Sequence, residues 1–262
     1  MDLIIVGDQS DRFCTEVLDL VQQIGYTADI LNIYDAARLF SVGVEDGQVC
    51  VTPDIPLLLR IQPPSTIRKS FDDSFMYGEC LSTLWAAATL NKSTVINRPT
   101  ANGIWGKTSY SSVLTAMRGG WRDNDIELFS SQILLPATQK LNQQWYVQDL
   151  STYNTTAYPN IPPGEGAYRG RWADFDPGYE VVVVLDNQAW RSTNVPLEHL
   201  LLEEKSISLI RNLDLTFATV TWSISENLED ATLARIDPFP MMEQIQFVWP
   251  VLAPALLEVL FS

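Results

Sequence analysis

The opening thirty-three residues constrain the fold more tightly than any other stretch. Leu3-Ile4-Ile5-Val6 is a continuous apolar run closed by Gly7-Asp8, the mark of a short strand buried on both faces. From Asp11 to Ile24 the apolar residues Phe13, Val17, Leu18, Leu20, Val21 and Ile24 recur at helical spacing, and Gly25 supplies the stop. Ala28 to Ile33 reads as the next strand. Strand, helix and strand in this order require a right-handed crossover, so the N-terminal part of the chain carries a parallel sheet.

The pattern continues in kind. Ser41 to Thr52 reads as a hairpin turning at Glu45-Asp46-Gly47, and Ile55 to Arg60 as a strand ended by Pro63-Pro64. Phe71 to Leu90 is helical by pattern, and Ser93 to Pro99 is a short strand leaving the first unit, with the domain boundary after residue 98. The second half begins with a helix over Lys107 to Met117 and a strand at Ile133-Leu134-Leu135. Tyr158 to Gly178, rich in proline, glycine and aromatic residues, reads as a long loop, a feature that is usually functional or disordered. Tyr179 to Leu185 is a valine-rich strand that turns at Asp186-Asn187 into Gln188 to Arg191. A helix over Pro196 to Leu213 then precedes a strand pair, Phe217 to Ile224 and Thr232 to Ile236. Phe247 to Leu257 carries no charge, is too short to span a bilayer and contains Pro250 and Pro254, so it reads as a buried, kinked C-terminal helix.

Composition narrows the functions. Seventeen basic against 32 acidic residues give a net charge of −15, which argues against nucleic acid or an anionic membrane as partner. One histidine, His199, limits any imidazole-dependent dyad to that residue, and its predicted place is a partly exposed helix. Cys14, Cys50 and Cys80 show no Cys-x-x-Cys spacing, against a zinc site, and their odd number suits a reducing, cytoplasmic setting. Gly7-Asp8-Gln9-Ser10 lacks the glycine spacing of a dinucleotide site.

The order of elements, with Val95-Ile96-Asn97-Arg98-Pro99 ahead of Lys107 and Arg235-Ile236-Asp237-Pro238 closing the paired strands, resembles the ATP-grasp superfamily, in particular its RimK-like and graspetide-maturing peptide-ligase branch. The resemblance implies an α/β chain: a Rossmann-like pre-ATP-grasp domain over residues 1–98 and a truncated ATP-grasp-like α+β domain over 99–262. It implies that Lys107 stands where a lysine contacts ATP phosphates, that Arg191 stands near an arginine that steadies the acyl phosphate, and that Leu135-Pro136-Ala137-Thr138 matches a Pro-x-Thr element. The family's closing Glu-x-Asn-Pro holds magnesium together with an upstream Asp. Here Arg235 replaces the glutamate, Asp237 the asparagine, and Thr221 occupies the upstream position, which leaves Asp237 as the metal contact and Arg235 free to pair with a phosphate or with Asp237 itself.

Between Thr138 and Tyr179 the glycines Gly164, Gly166 and Gly170 sit in a proline-aromatic context, so the nucleotide lid is expected to be reduced or absent. Tyr158, Tyr168, Arg169, Arg171 and Trp172 are the residue types that anchor protein interfaces, and they make the 158–178 loop a candidate partner site. Two functions follow: a degenerate ATP-grasp-like protein without magnesium-dependent ligation that serves as a binding, assembly or accessory factor, or an active carboxylate–amine ligase using ATP and Mg2+.

Overall fold

The computed structural model describes residues 1–61, 71–100, 127–130, 144–149, 155–157, 168–173, 178–193, 196–225 and 227–262. Strand β1 (Leu3–Val6) is buried along its whole length. It leads to helix α1 (Arg12–Gln23), whose N-cap Asp11 accepts a hydrogen bond from the Phe13 amide at 3.0 Å. Gly25, at φ +90°, makes the left-handed exit from that helix. Strand β2 (Ala28–Leu31) follows, then α2 (Ile33–Leu39), a helix where the sequence reads only a strand end. Asn32 starts α2 by accepting from the Tyr34 and Asp35 amides.

The hairpin β3 (Ser41–Glu45) and β4 (Gln48–Thr52) turns at Asp46-Gly47 as expected. Strands β5 (Leu57–Leu59) and β6 (Val95–Ile96), with α3 (Phe71–Leu90) between them, complete a parallel sheet of order β2-β1-β5-β6. Alternation along these strands divides two cores: Leu3, Ile5 and Leu58 belong to the one that includes α1, Ile4, Val6, Leu57 and Leu59 to the one that includes Leu84 and Ala88 of α3.

The interval expected to be one long loop contains a strand, which joins three strands that precede it. β7 (Glu127–Ser130), β8 (Gln144–Asp149), β9 (Thr155–Ala157) and β10 (Tyr168–Ala173) form an antiparallel sheet of order β7-β10-β8-β9. The loop over 158–178 is therefore corrected at 168–173. Tyr-Arg-Gly-Arg-Trp alternates with period two, but flanking proline and glycine obscure the pattern. The predicted helix at Lys107 and strand at Ile133 lie outside the described residues.

A third sheet, β12-β11-β13-β14, is built from β11 (Gly178–Leu185), β12 (Gln188–Arg191), β13 (Phe217–Ile224) and β14 (Ala231–Asp237). The helix expected over Pro196 to Leu213 is split into a 3-10 turn, Glu198–Leu200, and α4 (Leu202–Asn212) by Leu201 at φ 51°, ψ 42°. After the turn α5 (Met242–Ile245), the C-terminal α6 (Trp249–Phe261) contains Pro254 and buries Leu252, Leu256 and Leu260. These residues share one core with Leu3 and Ile5 of β1 and with Val183, Leu185 and Phe217 of the third sheet. The helix begins two residues later than expected, and Phe247 is exposed.

Candidate functional site

Cross-strand register determines which residues of the third sheet meet. Val182, Val184, Ala218, Val220 and Trp222 belong to the core shared with α4, whereas Val183, Leu185 and Phe217 belong to the core shared with α6. Residues directly opposite share a face. Val181 opposes Thr221 and Thr221 opposes Arg235, while Val183 opposes Thr219 and Thr219 opposes Asp237. Thr219, Thr221 and Asp237 thus form a patch on the face turned away from α4, with Arg235 at the register position opposite Thr221. The register shifts between Thr221 and Trp222, with Thr221 still opposite Arg235 and Trp222 opposite Leu233, so Ala234 is the extra residue of a bulge beside the patch.

Asp237 lies at the end of that face nearest the first sheet, and its Oδ1 accepts from the Phe239 amide at 3.0 Å. The neighbouring Thr219 Oγ1 is buried with no hydrogen-bond partner. Asn97, just past β6, fixes this end of the sheet. Its Nδ2 donates to the carbonyls of Phe217 (2.8 Å) and Pro238 (3.1 Å), and its Oδ1 accepts from the amides of Thr216 (3.0 Å) and Phe217 (2.8 Å).

Arg191 is not part of the patch. It opposes Val182, on the α4 face, where its Nε donates to Glu203 Oε1 at 2.7 Å and its Nη2 to Glu198 Oε1 at 3.3 Å. Burial alone would lower its pKa, but Glu203, Glu198 and Glu180 outweigh burial and raise it. Glu180, only 2% exposed, accepts from the Thr193 amide at 3.1 Å and from the Thr193 hydroxyl. Sequence reasoning missed this buried acid, although a carboxylate opening an otherwise apolar strand was its signal. His199 sits in the 3-10 turn, with Nε2 2.8 Å from the Leu228 carbonyl.

The partner-site residues Tyr168, Arg169, Arg171 and Trp172 lie on β10. There Trp172 is in register with Trp145, and Arg171 with Glu127 on one neighbouring strand and Tyr146 on the other. Lys107 and Tyr158 lie outside the described residues.

The sequence matches no family model and no curated protein. Solved structures do match it from end to end. ATP-grasp ligase PsnB, complexed with minimal precursor, superimposes with a TM-score of 0.69 at 10% identity, covering 98% of each chain. The chain has the ATP-grasp fold. Macrocyclase MdnC from Microcystis aeruginosa MRC, bound with precursor peptide MdnA, matches at a TM-score of 0.65 and 10% identity over 99% of each chain. The RimK domain ATP-grasp protein from Sphaerobacter thermophilus DSM 20745 matches at 0.62 and 10% over all of both.

ATP-grasp ligases of this shape are ATP-dependent, so the patch can be tested for its fit to magnesium. It offers one carboxylate, Asp237, with hydroxyls at Thr219 and Thr221. A hard divalent ion is held by several negative oxygen ligands. One carboxylate and two hydroxyls, the oxygen donors of this face among the described residues, do not fit Mg2+. Among the described residues no group of three or more His, Cys, Asp or Glu could hold a metal ion, and no helix is long and apolar enough to cross a membrane.

Proposed function

We propose that this ATP-grasp-fold protein has given up magnesium-dependent ligation and acts as a binding or accessory factor for a peptide partner. The observation that carries the proposal is the register of Thr221 opposite Arg235, with Thr219 opposite Asp237; by the resemblance, Thr221 and Arg235 correspond to acidic ligands of such ligases, and a hydroxyl and a cation hold a divalent ion poorly. The peptide partner is supported by the precursors bound to PsnB and MdnC. In this reading residues 1–98 are the Rossmann-like unit and 99–262 the ligase-derived unit. Tyr168, Arg169, Arg171 and Trp172 of β10, with Tyr158 before them, supply the partner surface. Lys107 and Arg235 are the cations left for an anionic group, and Arg191 serves to hold α4 to its sheet.

Calorimetric titration of the full chain with ATP, with and without Mg2+, followed by an assay for ADP, tests this. We expect any ATP affinity to change less than threefold on adding Mg2+, and no ADP to form when peptide is supplied. Magnesium-dependent ADP release overturns the proposal. One observation favours the second reading, an active carboxylate–amine ligase of the cytoplasm: Asp237 does remain on the patch. That version requires Lys107→Ala to abolish turnover.

A further inference from the structure

The carboxyl ends of the first parallel sheet run toward Asn97 and the Asp237 patch. At its amino ends lies an open cavity of about 360 Å3, lined by Asp2 ahead of β1, Ser93 and Thr94 ahead of β6, Tyr26 after α1, and Leu260 and Phe261 of α6. That volume is at the small end of ligand pockets and suits a single side chain.

The walls select a planar cation. The Tyr26 ring stacks on Phe261, with centroids 4.4 Å apart and planes 7° from parallel, and Tyr26 is 44% exposed, so its outer face is open to a flat group. Asp2 accepts from the Thr27 amide and hydroxyl, both at 2.8 Å and both on Oδ2. These bonds hold its carboxyl below the usual carboxylate range, so it is ionised at neutral pH with Oδ1 left for a ligand. Helix α6 ends at the cavity, and its last turn holds no basic residue to meet the carbonyl groups that find no partner within a helix. Against these acceptors the lining carries one cation, the amino group of Met1.

The chain uses that chemistry once already, at the end of α3. Arg98 donates from Nη1 to the carbonyls of Ala88 (2.9 Å), Thr89 (3.3 Å) and Asn91 (2.6 Å), and from Nη2 to that of Ser93 (2.8 Å). We propose that the cavity is a guanidinium site, where an arginine from outside the chain stacks on Tyr26, pairs with Asp2 and caps α6 as Arg98 caps α3. A guanidinium meets all three demands because it is flat, permanently charged and donates in its own plane, whereas an ammonium has no flat face. The net charge of −15 draws such a cation from solution. The site lies at the opposite end of the first sheet from Asp237, so it stands whether or not ligation is lost.

Saturation-transfer NMR of the full chain at physiological salt, with N-acetyl-arginine amide as the probe, tests the proposal. The probe is expected to bind, and the uncharged citrulline analogue of the same shape to bind about tenfold more weakly or not at all. Tyr26→Leu and Asp2→Asn, the second of which keeps an acceptor for Thr27, are each expected to weaken the arginine probe about threefold or more with unchanged circular dichroism. Absence of binding overturns the proposal, as does a citrulline or N-acetyl-lysine amide that binds equally well, or arginine binding that survives both substitutions. Free arginine separates the sources of the group: affinity equal to that of the amide supports the site as one for the amino acid, and binding of the amide alone supports it as one for an arginine within a peptide.

Discussion

Cys14 shows how far a residue's chemistry depends on its neighbours. Its thiol packs in the first core beside Gly7, where an added Cβ would come within 2.8 Å of Sγ. Burial, reinforced by the Asp11 carboxylate, pushes its pKa up to about 12. Asp11 is itself held by Arg60 at 2.6 Å, and the Arg60 guanidinium lies 4.6 Å from the centre of the Phe13 ring. At pH 8 almost none of the Cys14 thiol is ionised, so a disulfide reagent should titrate two cysteines in the folded protein, the half-buried Cys50 and Cys80, and the third only in denaturant. Rapid reaction of all three would contradict this environment. The three cysteines were legible in the sequence as free thiols, but their unequal reactivity was not, because it comes chiefly from burial of Cys14 in a core assembled from segments distant along the chain.

At the scale of elements, periodicity succeeded where one face of an element repeats and failed where backbone geometry interrupts it. The limits of α3 were read to the residue, since twenty residues of helical pattern outweigh local exceptions. The stretch from Pro196 to Leu213 has the same periodicity, yet Leu201 takes the left-handed conformation and breaks it. A Cβ is unfavourable there, and Leu201 is about half exposed, so Leu201→Gly should stabilise the protein by about 0.5–1 kcal/mol. A urea midpoint that falls rather than rises would show that the leucine side chain contributes more than its backbone costs. The missed helix α2 had a local signal, Asn32 followed three residues later by Asp35, whose carboxylate accepts from Asn32 Nδ2 at 2.6 Å. Strand β10 was hidden by its surroundings rather than by its own residues.

For the whole molecule, the Asn97 side chain ties the first parallel sheet to the third. Asn97, buried and at φ 54°, satisfies both backbone groups of Phe217 and the carbonyl of Pro238. Asn97→Ala leaves those groups buried without partners, and the cost should be about 2–4 kcal/mol, measured as a lower urea midpoint. An unchanged midpoint would mean that α6, which packs against both sheets, holds them together unaided. The sequence by itself determined the parallel βαβ start, the hairpin at Asp46-Gly47 and the valine-rich strand, because each rests on hydrophobic period or turn chemistry within a few residues. It also marked Thr221, Arg235 and Asp237 by their positions. Only the tertiary structure decided that Thr221 and Asp237 share one sheet face, with Arg235 in register opposite Thr221, while Arg191 is on the other in an ion pair with α4. Facing is set by strand register, and register is fixed by pairing between segments that are distant along the chain.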